Sequence, residues 1–547
     1  MLRVFLFLTA FAISLFAHSQ EPTITWGDEY KVEPGGGTKM KILAADASGV
    51  YLAEKGVSMA DMWSARLTKL DNNLHMVYAK VYSRELKEKK FQAFFALQDK
   101  LLIISSDYHR KEKTYEIFAA EINGSSGELV GSWQSIANFK KEDREQNVNF
   151  KLMPNADTSG FVIISSIASK EKALYQVQEF DKNLAAVIQP VTISNEFDVK
   201  TYSLEDVLYT DDRKIVLVGK VLLYPEGKRN AESDLEIANY YIRIYDEHGQ
   251  QIGDINTNIK GRWLINTKVL LTKNKELVLA GFFSNSKKIA ADGFVVMRID
   301  PSTGKVIGAT EKELNYSMVT ADDKEESNED KPGKKEIENL PKYMTFRNIF
   351  HTADGGLVLL AENYKDDLER PVKGWNITGP RAELKNSYFE SGEVMMCKLD
   401  AGNNISWLHI LPKAQREALM KELTDPLGIV YNSAFFYESY VPFYCGFGAM
   451  QYNGTINIFF NDNPDNANVL QPGQKVYTAK KLWKAHCYRV TLNEATGKYE
   501  RNDLFNNTDV PTPMIRHAKV FGNIMYVVGK RPEGMGRTKL ALAKITF

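Results

Sequence analysis

The chain has 547 residues, with 69 Lys+Arg against 69 Asp+Glu, 44% hydrophobic and 25% charged residues. That length exceeds what one ordinary core needs, so several domains or one large repeat array is expected. Zero formal charge removes any global field toward nucleic acid or an anionic membrane, and the composition is that of a folded protein, not a disordered one.

Residues 1–19 open with Arg3, run apolar from Val4 to Phe16, and end Ala17-His18-Ser19 before Gln20. A bilayer span needs about 20 apolar residues, so the run is too short to cross comfortably. Small residues at −3 and −1 suit signal peptidase. The sequence predicts a signal peptide over 1–19 and an exported mature chain over 20–547, periplasmic or extracellular. No later run is long enough to span a membrane. Cys397, Cys445 and Cys487 are too few for a disulfide-built scaffold, and buried free thiols are expected. None forms a CxxC pair, so no structural zinc is predicted.

From residue 40 onward one phrase recurs eight times: an apolar run, a charged residue, then a turn. Its members are "SARLTKLD" to Asp71, "YEIFAAEIN" to Asn123, "ALYQVQEFD" to Asp181 and "YYIRIYD" to Asp246. They continue with "GFVVMRID" to Asp300, "EVMMCKLD" to Asp400, "KAHCYRVT" to Thr491 and "LALAKITF" to Phe547. Asp and Asn start tight turns by accepting hydrogen bonds from their own backbone. A second apolar run precedes each phrase, such as "DKLLIISSDY" and "KELVLAGFFS". Runs of this length and composition read as strands covered on both faces. With a weaker strand before and another after, each repeat supplies four antiparallel strands. The prediction is an all-β fold, a β-propeller of eight four-stranded blades, with seven as the second choice.

The last repeat stops at Phe547 without a fourth strand. The mature chain opens with "PTITWGDEYKV" (Pro22 to Val32), which reads like the fourth-strand phrase "NNISWLHILPK" (Asn403 to Lys413). The segment Thr23–Val32 is therefore expected to complete the final blade; the alternative is a separate N-terminal arm.

The residues "DGGLVLLAEN" (354–363) and "GEVMMCKLDAGNNISWLHI" (392–410) carry a family likeness. They resemble the repeat of exported bacterial β-propeller proteins, in which DGG-apolar is followed by a KLDxxGNxxW phrase. The resemblance implies the fold and an exported location. It contains no catalytic residue, so it implies no activity.

Three insertions interrupt the repeats. Residues 320–344 are nearly all charge, Pro and Gly, and read as a solvated loop. Residues 364–392 fall within the sixth blade; Trp375 there is either a loop anchor or a ligand platform. Residues 411–428 place Leu419, Met420 and Leu423 on one helical face, predicting a short amphipathic helix docked on the ring. Beyond them, "FFYESYVPFYCGFG" (Phe435 to Gly448) has seven aromatics in fourteen residues. Two readings stand: the first strand of the seventh blade, or an aromatic platform at the channel mouth. In the second, Phe436, Tyr440 and Tyr444 stack on a ligand while Glu438 accepts hydrogen bonds.

Catalytic signatures are thin. The seven mature histidines are scattered, and no HExxH or GxSxG occurs. Asn461, Asn463 and Asp465 have calcium-loop spacing, but Pro472 stands where the bidentate Glu belongs, so a turn is expected and no metal or cofactor is predicted. The sequence points to an exported, monomeric, envelope-associated binding or scaffold protein, its partner an envelope protein or glycan. The alternative is a carbohydrate-active or other hydrolytic propeller with acids converging on the central axis.

Overall fold

The computed structural model describes residues 21–32, 40–55, 64–141, 147–155, 157–168, 173–195, 202–223, 236–257, 262–271, 276–285, 291–314, 343–371, 385–420, 441–532 and 538–547. Among them the strands form eight antiparallel sheets, each a meander in which successive strands pair. Blade 5 shows the plan: Trp263–Leu271, Leu277–Ser284, Gly293–Asp300 and Lys305–Glu313 run first to fourth. Its second strand, LVLAGFFS, is buried along all its length, whereas the fourth, KVIGATEKE, alternates between exposed and half-buried. Apolar density thus sets radial position. First strands of neighbouring blades also touch, Trp263–Leu271 with Met344–His351 and Met40–Asp46 with Lys90–Leu97, so they form the inner ring.

Eight apolar clusters, one at each seam between neighbouring blades, hold the ring together. Between blades 5 and 6, Phe282 and Phe346 stack with ring centroids 4.3 Å apart. The seam between blades 8 and 1 is of the same kind, joining Met40 and Ile42 to Val528, Leu540 and Leu542. A ring with eight seams for eight sheets is closed. Each fully buried Leu, Ile or Phe contributes about 1.5–3 kcal/mol by removal from water, so every seam is a substantial core in its own right.

The closing strand is where the sequence predicted it. Thr23–Trp26 pairs antiparallel with Ala543–Thr546, and Tyr30–Val32 with Thr538–Leu540. These segments form the fourth strand of blade 8, behind Ile524–Pro532 and Thr538–Thr546. Trp26 lies over Gly529, where an added Cβ would come within 2.7 Å of the indole, and meets Phe505 of blade 7 edge-on at 5.7 Å.

Two expectations are overturned. Within 411–428 the described residues contain a strand, Gln415–Met420, not a helix; it pairs with Asn386–Ser391. The helical pattern lost to an available sheet edge, because the third strand of blade 6 (Lys385–Leu399) extends far enough to offer its ladder. The first strand of blade 7 begins at Phe447, so Val441–Gly446 is a bent approach to it. Its backbone donors go to a carboxylate in place of a strand partner, as described below. A smaller correction concerns the seventh repeat, whose turn residue is Asn493, two positions after Thr491: Ala495 and Thr496 N–H both donate to its side chain. Cys397, Cys445 and Cys487 are buried and free.

Candidate functional site

Because every sheet is a meander, its connections fall alternately at two ends. One end carries the first-to-second and third-to-fourth turns. It is tight: Asp71, Asn123, Asp181, Asp246 and Asp300 each accept the backbone N–H two residues on, at 2.8–2.9 Å. Asp400 accepts from Asn404 N–H at 2.8 Å. These side chains close turns. The other end carries the second-to-third connections and the crossings between blades. Here the chain leaves and re-enters for residues 315–342, 372–384 and 421–440, which lie outside the described residues.

This wide rim is most built up over blades 6 to 8. The second and third strands of blade 6 continue past Met344↔Asn363 through Tyr364↔Ser391 to Pro371↔Lys385, beyond the start of the first strand. Gln415–Met420 adds a further strand to that ribbon. At its base is a buried polar network. Glu362, 1% exposed, accepts Lys413 Nζ at 2.8 Å, Arg347 Nε at 3.0 Å and the Ser391 hydroxyl. Burial opposes its charge, but Lys413, Arg347 and Arg516 outweigh it and hold the carboxyl down at about 2. Lys413 Nζ also donates to Gln415 Oε1 at 2.9 Å and to Ser391 Oγ.

A serine beside a lysine invites a nucleophile–base reading, and the geometry rejects it. An ammonium has three protons, and all three are donated here, so Lys413 has no lone pair with which to take a proton from Ser391. Both side chains are sealed from solvent. The network is a lock. Glu417 serves likewise: its carboxylate accepts N–H from Phe443 (3.0 Å), Tyr444 (2.8 Å) and Cys445 (2.9 Å), which bends that segment away from strand geometry. Burial raises its carboxyl against those donors. Asp462 is pushed up by burial too, against Arg501, whose guanidinium donates at 2.9 Å and lies 4.0 Å from the Tyr488 ring centroid.

Above the lock, two arginines stand where the inner strands leave their ladders. Arg347 is the bulged residue between the pairs Phe346↔Ala361 and Asn348↔Leu360. Arg516 sits in the Ile515–His517 turn that interrupts the first strand of blade 8, between Thr512–Pro513 and Lys519–Phe521. Bulges re-aim side chains. Both guanidiniums are brought to one ring, Arg516 4.4 Å and Arg347 4.6 Å from the Tyr364 centroid. Burial and then the charge of Arg516 depress the guanidinium of Arg347. Gly446, at φ 101°, leaves room for Arg516; an added Cβ there would meet its side chain at 3.3 Å.

The second exposed feature is residues 463–485, between the second and third strands of blade 7. It is firmly docked. Asn466, fully buried, donates to Asp462 Oδ1 (3.0 Å) and Tyr477 O (2.8 Å) and accepts Tyr477 N–H (2.8 Å). Ala479 exchanges backbone bonds with Ala414 and Arg416, and Leu482 O accepts Asn507 Nδ2 at 2.8 Å. On this rigid base Tyr477 is 39% and Trp483 50% exposed, among the exposed Lys475, Lys480, Lys481 and Lys484. No acidic residue occurs from 466 to 485.

Of the sequence-predicted ligand residues, Trp375, Phe436, Glu438 and Tyr440 lie outside the described residues. Tyr444 is described, and it is no platform: it packs between two apolar clusters, and its N–H and C=O are tied to Glu417 and Asn461. Asn461 is buried and donates to Tyr444 O and Pro513 O, while Asn463 caps a short turn by accepting Asp465 N–H, so the three do not face one centre. Among the described residues no group of three or more His, Cys, Asp or Glu could hold a metal ion. Trp483 and the two arginines were not singled out from the sequence. The cue for the first was a Trp within "KKLWK", flanked by lysines and by no apolar run; the arginines give no local cue, since only the fold brings them together.

No family model and no curated protein matches the chain. Among solved structures, an ACO/RPE65 chimera aligns at 10% identity over 89% of this chain and 94% of that one, with a TM-score of 0.31. The β-propeller domain of the Trilobed protease from Pyrococcus furiosus aligns at 12% identity over 68% and 94%, TM-score 0.29. An α-L-arabinofuranosidase from Fusarium graminearum aligns at 9% over 84% and 93%, TM-score 0.26. At these scores the likenesses add nothing to what the sheets themselves establish: the chain is an eight-bladed β-propeller, and its function has to be read from its own residues.

Proposed function

We propose that the protein is an exported, envelope-associated binding propeller that holds a glycan or protein partner on its wide rim without transforming it. The observation that carries this reading is the docked 463–485 segment. It presents Trp483 and Tyr477 to solvent on a base fixed by buried amide contacts. An aromatic side chain held in place loses little entropy on contact, and its face suits a sugar ring or an apolar peptide group. The four lysines around it favour an acidic partner. Support for a non-hydrolytic role comes from the buried acids Glu362, Glu417 and Asp462, each already occupied by donors from its own chain. The N-terminal 19 residues support export.

The test uses the full mature chain, residues 20–547, immobilised and exposed to purified acidic and neutral envelope polysaccharides and to envelope protein. The wild type is expected to capture one of them, and the double change Trp483→Ala with Tyr477→Ala to lose at least tenfold in affinity at unchanged melting temperature. Release of sugars or peptides by the wild type, without stable capture, would overturn the reading in favour of hydrolysis.

A further inference from the structure

A second ligand-directed feature lies beside that segment and differs in chemistry. Arg347 Nη2 and Arg516 Nη1 are buried nitrogens with no hydrogen-bond partner among the described residues. Leaving a charged donor buried and unmatched is among the more costly arrangements a protein can hold. Here it occurs twice, in two groups gathered on one Tyr364 ring. Glu362 is committed to Lys413, Ser391 and Nε of Arg347, and among the described residues no carboxylate lies within ion-pair distance of Arg516. Counting Arg347, Arg516 and Lys413 against Glu362, the cluster carries an excess of positive charge.

We infer that Arg347 and Arg516 form a receptor for an oxyanionic group, a carboxylate or phosphate, on the ligand held at the wide rim. The inference rests on the binding reading above for its rim, and it adds the charge and shape of the ligand's anchoring group. A guanidinium is a planar fork of donors matched to two oxygens of one anion. Stacking on Tyr364 fixes both guanidiniums before any ligand arrives, which lowers the entropy lost on binding. Their placement is built rather than incidental, since a bulge in one inner strand and a turn in another are what bring the two side chains to the same ring. An entering oxyanion satisfies the two orphan donors and offsets the repulsion between the cations.

Isothermal titration of the mature chain at low salt, with inorganic phosphate, D-glucuronate and neutral glucose as probes, tests this. Phosphate or glucuronate is expected to bind and to raise the melting temperature, with affinity falling as salt rises; glucose is not. Whichever oxyanion binds more tightly identifies the anchoring group. Arg516→Gln is expected to weaken that binding at least tenfold. Arg347→Lys, which keeps the positive charge beside Glu362 but removes the fork, is expected to weaken it too, and serves if Arg516→Gln fails to fold. Failure of both oxyanions to bind the wild type, or equal binding by both variants, would sink the receptor. If polysaccharide or protein capture persists in that event, the binding reading stands alone; if capture is also absent, both fall.

Discussion

The two rims of the ring are built by different physics. On the tight rim, a side chain and the backbone two to four residues away satisfy each other, as at Asp181 and Asp246, and the same device recurs blade after blade. On the wide rim over blades 6 to 8, satisfaction comes from afar. Lys413 and Glu362 are 51 positions apart, Glu417 and Tyr444 27. A rim made of local turns is self-sufficient and interchangeable between blades. One made of long-range buried polar contacts is particular to its place, and that particularity positions Trp483, Arg347 and Arg516.

Disrupting the lock should have the largest effect. Glu362→Gln or Lys413→Met alone leaves a buried charge without its partner, a loss of about 3–5 kcal/mol. Chemical denaturation should show it, and Glu362→Leu combined with Lys413→Met should recover only part of it, because Arg347 Nε then lacks its acceptor. A single change costing under about 1 kcal/mol would mean that the rim is held by something else.

Next comes Lys530, buried beneath the approach to blade 7 with its ammonium 4.2 Å from the Phe443 ring centroid. Burial lowers its pKa to about 8, against the opposing pull of Glu417 and Glu54. The folded chain therefore releases this proton near pH 8, while the unfolded chain keeps it to about 10.5. Between those values the unfolded state binds more protons, so stability climbs with pH, by about 3 kcal/mol at about 1.36 kcal/mol per unit. The difference in unfolding free energy between wild type and Lys530→Met, measured from pH 7 to 10, should trace that climb; parallel curves would remove Lys530 as its source.

The smallest effect belongs to the tight rim. Asp181→Ala should cost about 1 kcal/mol, the loss of turn hydrogen bonds at an exposed site, and leave ligand capture at wild-type strength. Impaired capture would mean that the rims are not separate in function.

How much of this was legible follows from the same contrast. Apolar runs such as LVLAGFFS, and the Asp or Asn that ends most third strands, are short-range signals, and they yielded blade number, strand order and the closing role of Thr23–Val32. The segment QREALM carries helix-favouring residues, and nothing nearby announces that residues 386–391 offer it an edge or that Glu417 is needed for three backbone donors. Asn493 was misplaced by two positions because its strand runs on through Leu492 before turning. Tyr444 looked like a ligand residue because aromatic density alone does not separate a wedge between cores from a platform. Trp483 is the reverse case: an exposed aromatic set among lysines, with no aromatic density around it to mark it in the sequence.

The bond between the two ends of the chain also governs when the protein can be finished. Thr23 finds its partner at Thr546, so this strand must wait for nearly everything that follows it before its ladder hydrogen bonds exist. Until then the last blade has three strands and a bare edge, and among the described residues its seam with blade 1 is the only thing holding the ring shut. Trimming the last ten residues would remove every strand partner of Thr23–Trp26 and Tyr30–Val32.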